Sequence, residues 1–280
     1  MKERPAPRRL SFVVPAAVAA LAVVILLISL LPERGGKSAV PSISCAEGLA
    51  FLQQLESRAP SEIDAELKAI RQAELEEMKQ QWLGQMLRGE ISVWEQFQDY
   101  ALLGDSRAYG FSFYGFLPKE RVLAGSGDTI LAVEDHLEEL EDLNPAMIFL
   151  CYGINDVGIG YWPEPSDYVD KISETLALLK KTLPGAKVYL SSILTAYDPA
   201  FARGPAWRRI PDYNDAVRAY CAENGVPYID MTALCEENQS LYQDDGVHLQ
   251  KEFYPLWAVQ MISEVYSDGN EEQIEFAAGG

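Results

Sequence analysis

Between residues 98 and 267, short apolar runs alternate with helix-like stretches. No other feature of the chain limits its fold as strongly. The runs are Tyr100–Leu103, Val122–Ala124, Ala146–Tyr152, Lys187–Ile193 and Pro227–Asp230. The third (AMIFLCY) is almost wholly apolar, as a strand covered on both faces must be. Between and after the runs lie Thr129–Asp142, Ser166–Thr182, Tyr213–Asn224 and Lys251–Tyr266, all of helical character. Gly185 and Gly225 follow the second and third of these, where helix-ending glycines stand. Strands that alternate with helices predict an α/β fold of three layers, α/β/α, around a five-stranded parallel, doubly wound sheet. Right-handed crossovers leave few ways to connect it.

In such a sheet, sites form outside the carboxyl ends of the strands. Four short blocks fall at these positions or just before the last helix: Gly104-Asp105-Ser106-Arg107, Ser126-Gly127-Asp128-Thr129, Gly153-Ile154-Asn155-Asp156 and Asp245-Gly246-Val247-His248. A serine hydroxyl is a weak nucleophile until a base takes its proton. The chain has two histidines. His136 stands in the acidic run Glu134-Asp135-His136-Leu137-Glu138-Glu139, which reads as an exposed helix face. His248 stands in a glycine-containing loop, three residues after Asp245, which makes it the candidate base for Ser106. A turn at Gly246 lets the Asp245 carboxylate reach the imidazole and fix its tautomer, with Asp244 as a competitor for that role. The N–H groups of Ser106 and Gly127 and the Asn155 amide are candidate donors to an oxyanion. The chemistry predicted is acyl transfer through serine, which needs no metal or organic cofactor. Gly104-Asp105-Ser106-Arg107-Ala108 nearly matches the G-x-S-x-G elbow, but that serine follows several strands and none precedes Tyr100 here.

The N-terminal region predicts a membrane anchor. Residues 10–32 are apolar and carry no charge, long enough for a bilayer-spanning helix and longer than the apolar core of a cleaved signal peptide. Lys2, Arg4, Arg8 and Arg9 precede the span, so residues 1–9 are expected in the cytoplasm and the rest outside. Residues 1–37 hold six basic and two acidic side chains, which leaves 17 basic against 40 acidic, a net of −23, in the remainder. So acidic a domain repels phosphate and argues against nucleic-acid partners. The four cysteines form no C-x-x-C and have no histidine cluster beside them, which argues against zinc. Cys45 lies too far past the apolar run for a lipid-modified cysteine. Cys221 and Cys235 are either a disulfide or two buried thiols, and Cys151 is a small core residue.

After a linker at 33–45, residues 46–97 read as a helical stalk broken at Ala59-Pro60-Ser61. Ile63, Leu67, Ile70, Leu75, Met78, Trp82 and Met86 recur at helical spacing, which predicts one face docked on the domain, or less favourably a dimerising coiled coil. Residues 98–267 form the catalytic domain and 268–280 a polar tail predicted to be disordered.

On these four ordered blocks the chain resembles the SGNH/GDSL hydrolases, over roughly Asp99 to Tyr266. The resemblance implies a flavodoxin-like doubly wound domain with Ser106 as nucleophile, Gly127 and Asn155 as oxyanion residues, and Asp245 and His248 as acid and base. Arg107 departs from the leucine common there, and either sets acyl or leaving-group preference or pairs with a surface carboxylate. The resemblance implies serine ester hydrolysis without naming the substrate; the expected location outside the membrane favours short acyl esters, O-acetyl foremost, on a small ester or an acylated glycan of the cell envelope. The alternatives are an envelope polysaccharide O-acetyltransferase, which needs an acyl donor, and a non-catalytic scaffold. Tyr109, Phe111, Phe113, Tyr114, Phe116, Tyr161 and Trp162 flank the blocks, to stack on substrate or to fill the core.

Overall fold

The structure is a computed structural model that describes residues 60–267. The expected membrane span, the linker, Cys45, the first part of the stalk and the tail lie outside the described residues. Among the described residues no helix is long and apolar enough to cross a membrane. By compactness the chain divides into residues 1–63 and 64–280, and the sheet belongs to the second unit.

Helix α1 spans Pro60–Leu87. Strand β1 (Tyr100–Gly104) leads into α2 (Ser106–Phe113). Then come β2 (Val122–Ala124), a 3₁₀ segment (Ile130–His136), α3 (Leu137–Leu143), β3 (Met147–Cys151), α4 (Ile154–Ile159) and α5 (Pro165–Thr182). The chain continues through β4 (Lys187–Ser191), α6 (Ala200–Arg203), α7 (Ile210–Asn224), β5 (Tyr228–Ile229), α8 (Thr232–Glu237) and α9 (Phe253–Ser267). The five strands form one sheet in the order β2-β1-β3-β4-β5, every pair parallel. This is a doubly wound order whose direction reverses at β1, between β2 and β3.

Alternation along the strands builds two cores. Tyr100 and Leu102 of β1 and Phe149 and Cys151 of β3 face one layer, with Phe111 of α2 and Trp257 of α9. Ala101 and Leu103 of β1 and Ile148 and Leu150 of β3 face the other, with Tyr168 of α5 and Val217 of α7. This period of two is the strand geometry, and burial on both faces is why these runs read as apolar throughout. Cys221 lies in the second layer and Cys235 in the first, so the sheet separates them and both are free buried thiols. The disulfide option is thereby closed. Burial raises the thiol pKa of Cys151, Cys221 and Cys235, which keeps them protonated and inert.

Two expectations change. The predicted helix Thr129–Asp142 is a 3₁₀ segment followed by a short α-helix. Ile130 and Val133, three residues apart, are both buried, a spacing that eclipses in 3₁₀ geometry. The docked face of α1 is confined to its last turns. Trp82, Leu83 and Met86 join the first core layer, and Trp82 meets Tyr266 of α9 edge-on at 4.4 Å. Leu67 and Ile70 remain 58% and 49% exposed. The coordinated packing therefore reaches back from the sheet to Trp82, through Val93 and Phe97, across the boundary expected at residue 98.

Trp82→Ala should lower the unfolding free energy of the full chain by about 3 kcal/mol, and Leu67→Ala should leave it within about 0.5 kcal/mol. Chemical denaturation in detergent measures both. Equal effects would mean that the helix docks along its whole length or not at all.

Candidate active site

Ser106 is the first residue of α2, directly after β1. Asp105 caps this helix: its Oδ1 accepts the Arg107 N–H at 2.9 Å. As the N1 residue, Ser106 has an N–H that no carbonyl of the helix can accept. The Asp105 carboxylate is fully buried and its charge is met by Arg107, itself 2% exposed. Arg107 Nε lies 3.4 Å from Asp105 Oδ1, and Nη1 donates to the Leu194 carbonyl at 2.7 Å. The sequence reading of Arg107 is thus corrected. It neither pairs with a surface carboxylate nor reaches substrate, because its side chain is committed to the buried Asp105 carboxylate and the Leu194 carbonyl beneath Ser106. Tyr254 of α9 adds a hydrogen bond from its hydroxyl to the Arg107 carbonyl at 2.9 Å.

Ser106 Oγ lies 3.1 Å from His248 Nε2, and His248 Nδ1 lies 2.6 Å from Asp245 Oδ2. Asp245 Oδ1 also accepts the N–H groups of Val247 and His248, each at 2.9 Å. The loop that brings these groups together turns at Gly246, whose φ of +71° suits glycine and whose missing Cβ leaves room for the Tyr197 carbonyl. Tyr197 N–H donates to the Gly246 carbonyl at 2.9 Å, and Gln243 N–H to the His248 carbonyl at 2.8 Å. Asp244, the competitor for the orienting role, is exposed, and it is the Asp245 carboxylate that accepts the His248 N–H and meets its Nδ1. His136 is bonded to Glu139 at 2.9 Å, apart from this line.

Desolvation acts to raise the Asp245 pKa. The hydrogen bond with the His248 ring, the two backbone N–H bonds and the histidine charge outweigh it and hold the carboxyl at about 2. Asp245 is therefore an anion wherever the enzyme is folded at ordinary pH, as an orienting group must be.

The two remaining residues lie at the neighbouring strand ends. β2 and β3 flank β1, with Gly104 in register with Ala124 and Cys151. Gly127 follows β2 at φ +86°, and among the described residues no carbonyl accepts its N–H. Asn155, in α4 after β3, donates one amide N–H to the Asp128 carbonyl at 2.8 Å. That bond ties the amide to the Gly127 loop and leaves its second N–H for a ligand. A further tie escaped the sequence reading. Asp156, fully buried, accepts the Ile130 N–H at 3.1 Å and Trp162 Nε1–H at 3.1 Å. It joins the Gly127 loop to α4 a second time. Burial raises its pKa to about 6, against the pull of those two hydrogen bonds. The signal available in the sequence was only that an aspartate follows Asn155.

The exposed side of Ser106 opens on a cleft of ≈ 380 Å³ lined by residues of α2, Ser126, Gln243, His248, Leu249 and Tyr254. Of the undecided aromatics, Tyr109, Phe113 and Tyr161 are exposed, Phe111 is core, and Tyr114 and Phe116 pack against the core half-buried. Among the described residues no group of three or more His, Cys, Asp or Glu side chains is placed to hold a metal ion.

A serine on a histidine that a carboxylate orients, open to solvent at a cleft, suits acyl transfer from an ester. The profile of the GDSL-like lipase/acylhydrolase family matches residues 102–255, more than half of the chain, and the chain belongs to that family of serine ester hydrolases. No curated protein matches the chain. Solved structures similar to it include a lipase/acylhydrolase from Enterococcus faecalis, at 16% identity over 61% of this chain and 96% of that one, with a TM-score of 0.48. A GDSL-like lipase from Bacteroides thetaiotaomicron is 22% identical over 64% of this chain and 88% of that one, with a TM-score of 0.47. An acetyl xylan esterase from Geobacillus stearothermophilus is 18% identical over 59% of this chain and 93% of that one, with a TM-score of 0.44.

The Asp245 pKa yields a stability prediction with a definite sign. Its folded value is depressed, so its contribution is fully present above about pH 5 and is lost as pH falls toward 2. The stability difference between the wild type and Asp245→Asn should therefore shrink by about 2 kcal/mol over that window. Urea denaturation at fixed pH values reads it. A difference that does not change between pH 5 and 2 would show that the carboxylate gains nothing from its partners.

Proposed function

We propose that the protein is a membrane-anchored serine esterase outside the cytoplasm, hydrolysing short acyl esters, O-acetyl foremost, on carbohydrate or cell-envelope polymer. The observation that carries the chemistry is the line Ser106 Oγ–His248 Nε2 at 3.1 Å and His248 Nδ1–Asp245 Oδ2 at 2.6 Å. In the proposed sequence, Ser106 Oγ attacks the ester carbonyl while His248 takes its proton. Asp245 stabilises the imidazolium that forms. Ser106 N–H, Gly127 N–H and the second Asn155 amide N–H receive the oxyanion. His248 then protonates the leaving alkoxide, and water, activated by the same histidine, releases the acid.

The location rests on the N-terminal sequence: an uncharged span at 10–32 behind Lys2, Arg4, Arg8 and Arg9. An enzyme held at the outer face of a membrane meets envelope and environmental polymers first. Its acidity suits neutral substrates better than anionic ones.

A fluorophosphonate should label the full chain, and Ser106→Ala should abolish the labelling. With acetyl esters as substrate, Asn155→Ala should lower kcat by about 10²–10³ and change KM little, because its N–H binds chiefly the charge that develops on the oxygen. Labelling that survives Ser106→Ala would move the nucleophile, and an Asn155→Ala effect confined to KM would remove Asn155 from the oxyanion hole. Separately, protease added to intact spheroplasts should digest the domain. Protection there would place the domain inside the cell and end the envelope reading.

A further inference from the structure

Two large rings stand open to solvent beside the proposed nucleophile without serving the core. Tyr109 and Phe113 are 45% and 68% exposed and lie one helical turn apart on α2. Their ring centroids are 6.1 Å apart at 42°, and Phe113 rests edge-on against Tyr114 at 5.1 Å. Both line the cleft with Ser106, Ser126, Gln243 and His248. Phe111, between them in sequence, is fully buried, so the helix sorts its aromatics between core and cleft.

The chemistry of the reaction says which half of the ester this cleft faces. The proton that His248 Nε2 takes from Ser106 must pass to the leaving oxygen. The alcohol half therefore lies on the His248 flank of Ser106. The cleft includes that flank: His248, Gln243 and Leu249 line it together with Tyr109 and Phe113 of α2 and Ser126. Asn155 does not line it. We propose that this cleft binds the alcohol half of the ester and that Tyr109 and Phe113 select an uncharged pyranose ring there. The proposal rests on the esterase reading above and adds to it the position and identity of the alcohol site.

A pyranose has an apolar C–H face and a rim of hydroxyls. The exposed rings offer the matching apolar surface. Polar groups stand around it: the Ser126 and Tyr109 hydroxyls, and the Gln243 amide oxygen, whose Nε2 partner donates to the Leu249 carbonyl at 3.0 Å. Among the described residues no lysine or arginine lines the cleft, which offers no cation to the phosphate of a phospholipid alcohol.

A site that holds the departing alcohol also holds an incoming one, because deacylation by an alcohol is the reverse of acylation. A pyranoside hydroxyl gives its proton to His248 Nε2 as its oxygen bonds to the acyl carbon. The bond from that carbon to Ser106 Oγ breaks, and Oγ recovers the proton from His248. The products are the acylated pyranoside and free enzyme.

The test measures this partition. The full chain in detergent is given 4-nitrophenyl acetate with methyl glucoside or methanol at equal molarity, and acetylated acceptor and free acetate are quantified. Methyl glucoside should divert the acyl-enzyme at least about tenfold better than methanol, and Tyr109→Ala/Phe113→Ala should reduce that preference by about tenfold, the scale of two lost ring contacts. Both side chains are exposed, so the variant should keep its thermal midpoint, which is measured alongside. No preference for the glucoside, or a preference unchanged in the variant, overturns the proposal. So does a variant that instead changes the ranking of acetate against octanoate aryl esters, since the cleft would then hold the acyl chain. Failure of the esterase reading is distinguishable: it appears without any acceptor, as absence of fluorophosphonate labelling and of nitrophenol release, and overturns both.

Discussion

All five strands run in one direction, and the placement of Ser106, Gly127 and Asn155 follows from that constraint. Parallel strands send each following loop out of the same edge of the sheet. Because β1 lies between β2 and β3, the residues after these three strands emerge side by side. The register is tight: Gly104 pairs with Ala124 on one side and Cys151 on the other, so the three chains leave the sheet at the same level. Ser106, Gly127 and Asn155 are distant in sequence and neighbours by this geometry. The fourth segment comes from the loop before α9, which packs on the first core layer and reaches the same edge from outside the sheet.

Two buried carboxylates hold this edge in place, and they do so differently. Asp105 is charge-paired with Arg107 and caps the helix that begins with Ser106. Breaking such a pair leaves an uncompensated buried charge, a cost of about 3–5 kcal/mol, so Ser106 stands on a stiff support. Asp156 has no cation among its hydrogen-bond partners: it is held by the Ile130 N–H and the Trp162 indole N–H. Its raised pKa records the desolvation that these two donors only partly offset. Between Asn155 and Asp156, two consecutive side chains of α4 bind two successive parts of the Gly127 loop, the Asp128 carbonyl and the Ile130 N–H. The proposed oxyanion donors are thus cross-linked to each other before any ligand arrives, the preorganisation that such donors require.

The histidine side is built from a turn instead of from the sheet. Asp245 binds its own loop through Val247 and His248 N–H while its other oxygen holds the imidazole. One residue both closes the turn and orients the imidazole, which is why the short Asp-x-x-His spacing suffices.

Much of this was legible in the chain because local chemistry repeats it. Apolar runs of strand length, glycines after helices and four polar blocks at the run ends carry the α/β architecture, since burial on both faces forces a strand to be apolar along its whole length. Ser106, His248 and Asp245 could be singled out because so few histidines exist and one has a carboxylate three residues away. The pairing of Arg107 with Asp105, the role of Asp156 and the separation of Cys221 from Cys235 were not legible. Each depends on which face of the sheet a side chain meets and on what covers it. The same holds for the docked end of α1 and for the 3₁₀ turn at Ile130–His136, where helical spacing in the sequence is equally good along segments that the core treats differently. Sequence by itself determined the order of the strands along the chain, the kind of chemistry and the candidate residues, because these reside in residue type and spacing. Tertiary structure alone decided which charges are buried, which aromatic rings stay open and which donors are tied together, because burial and contact are properties of the packed layers.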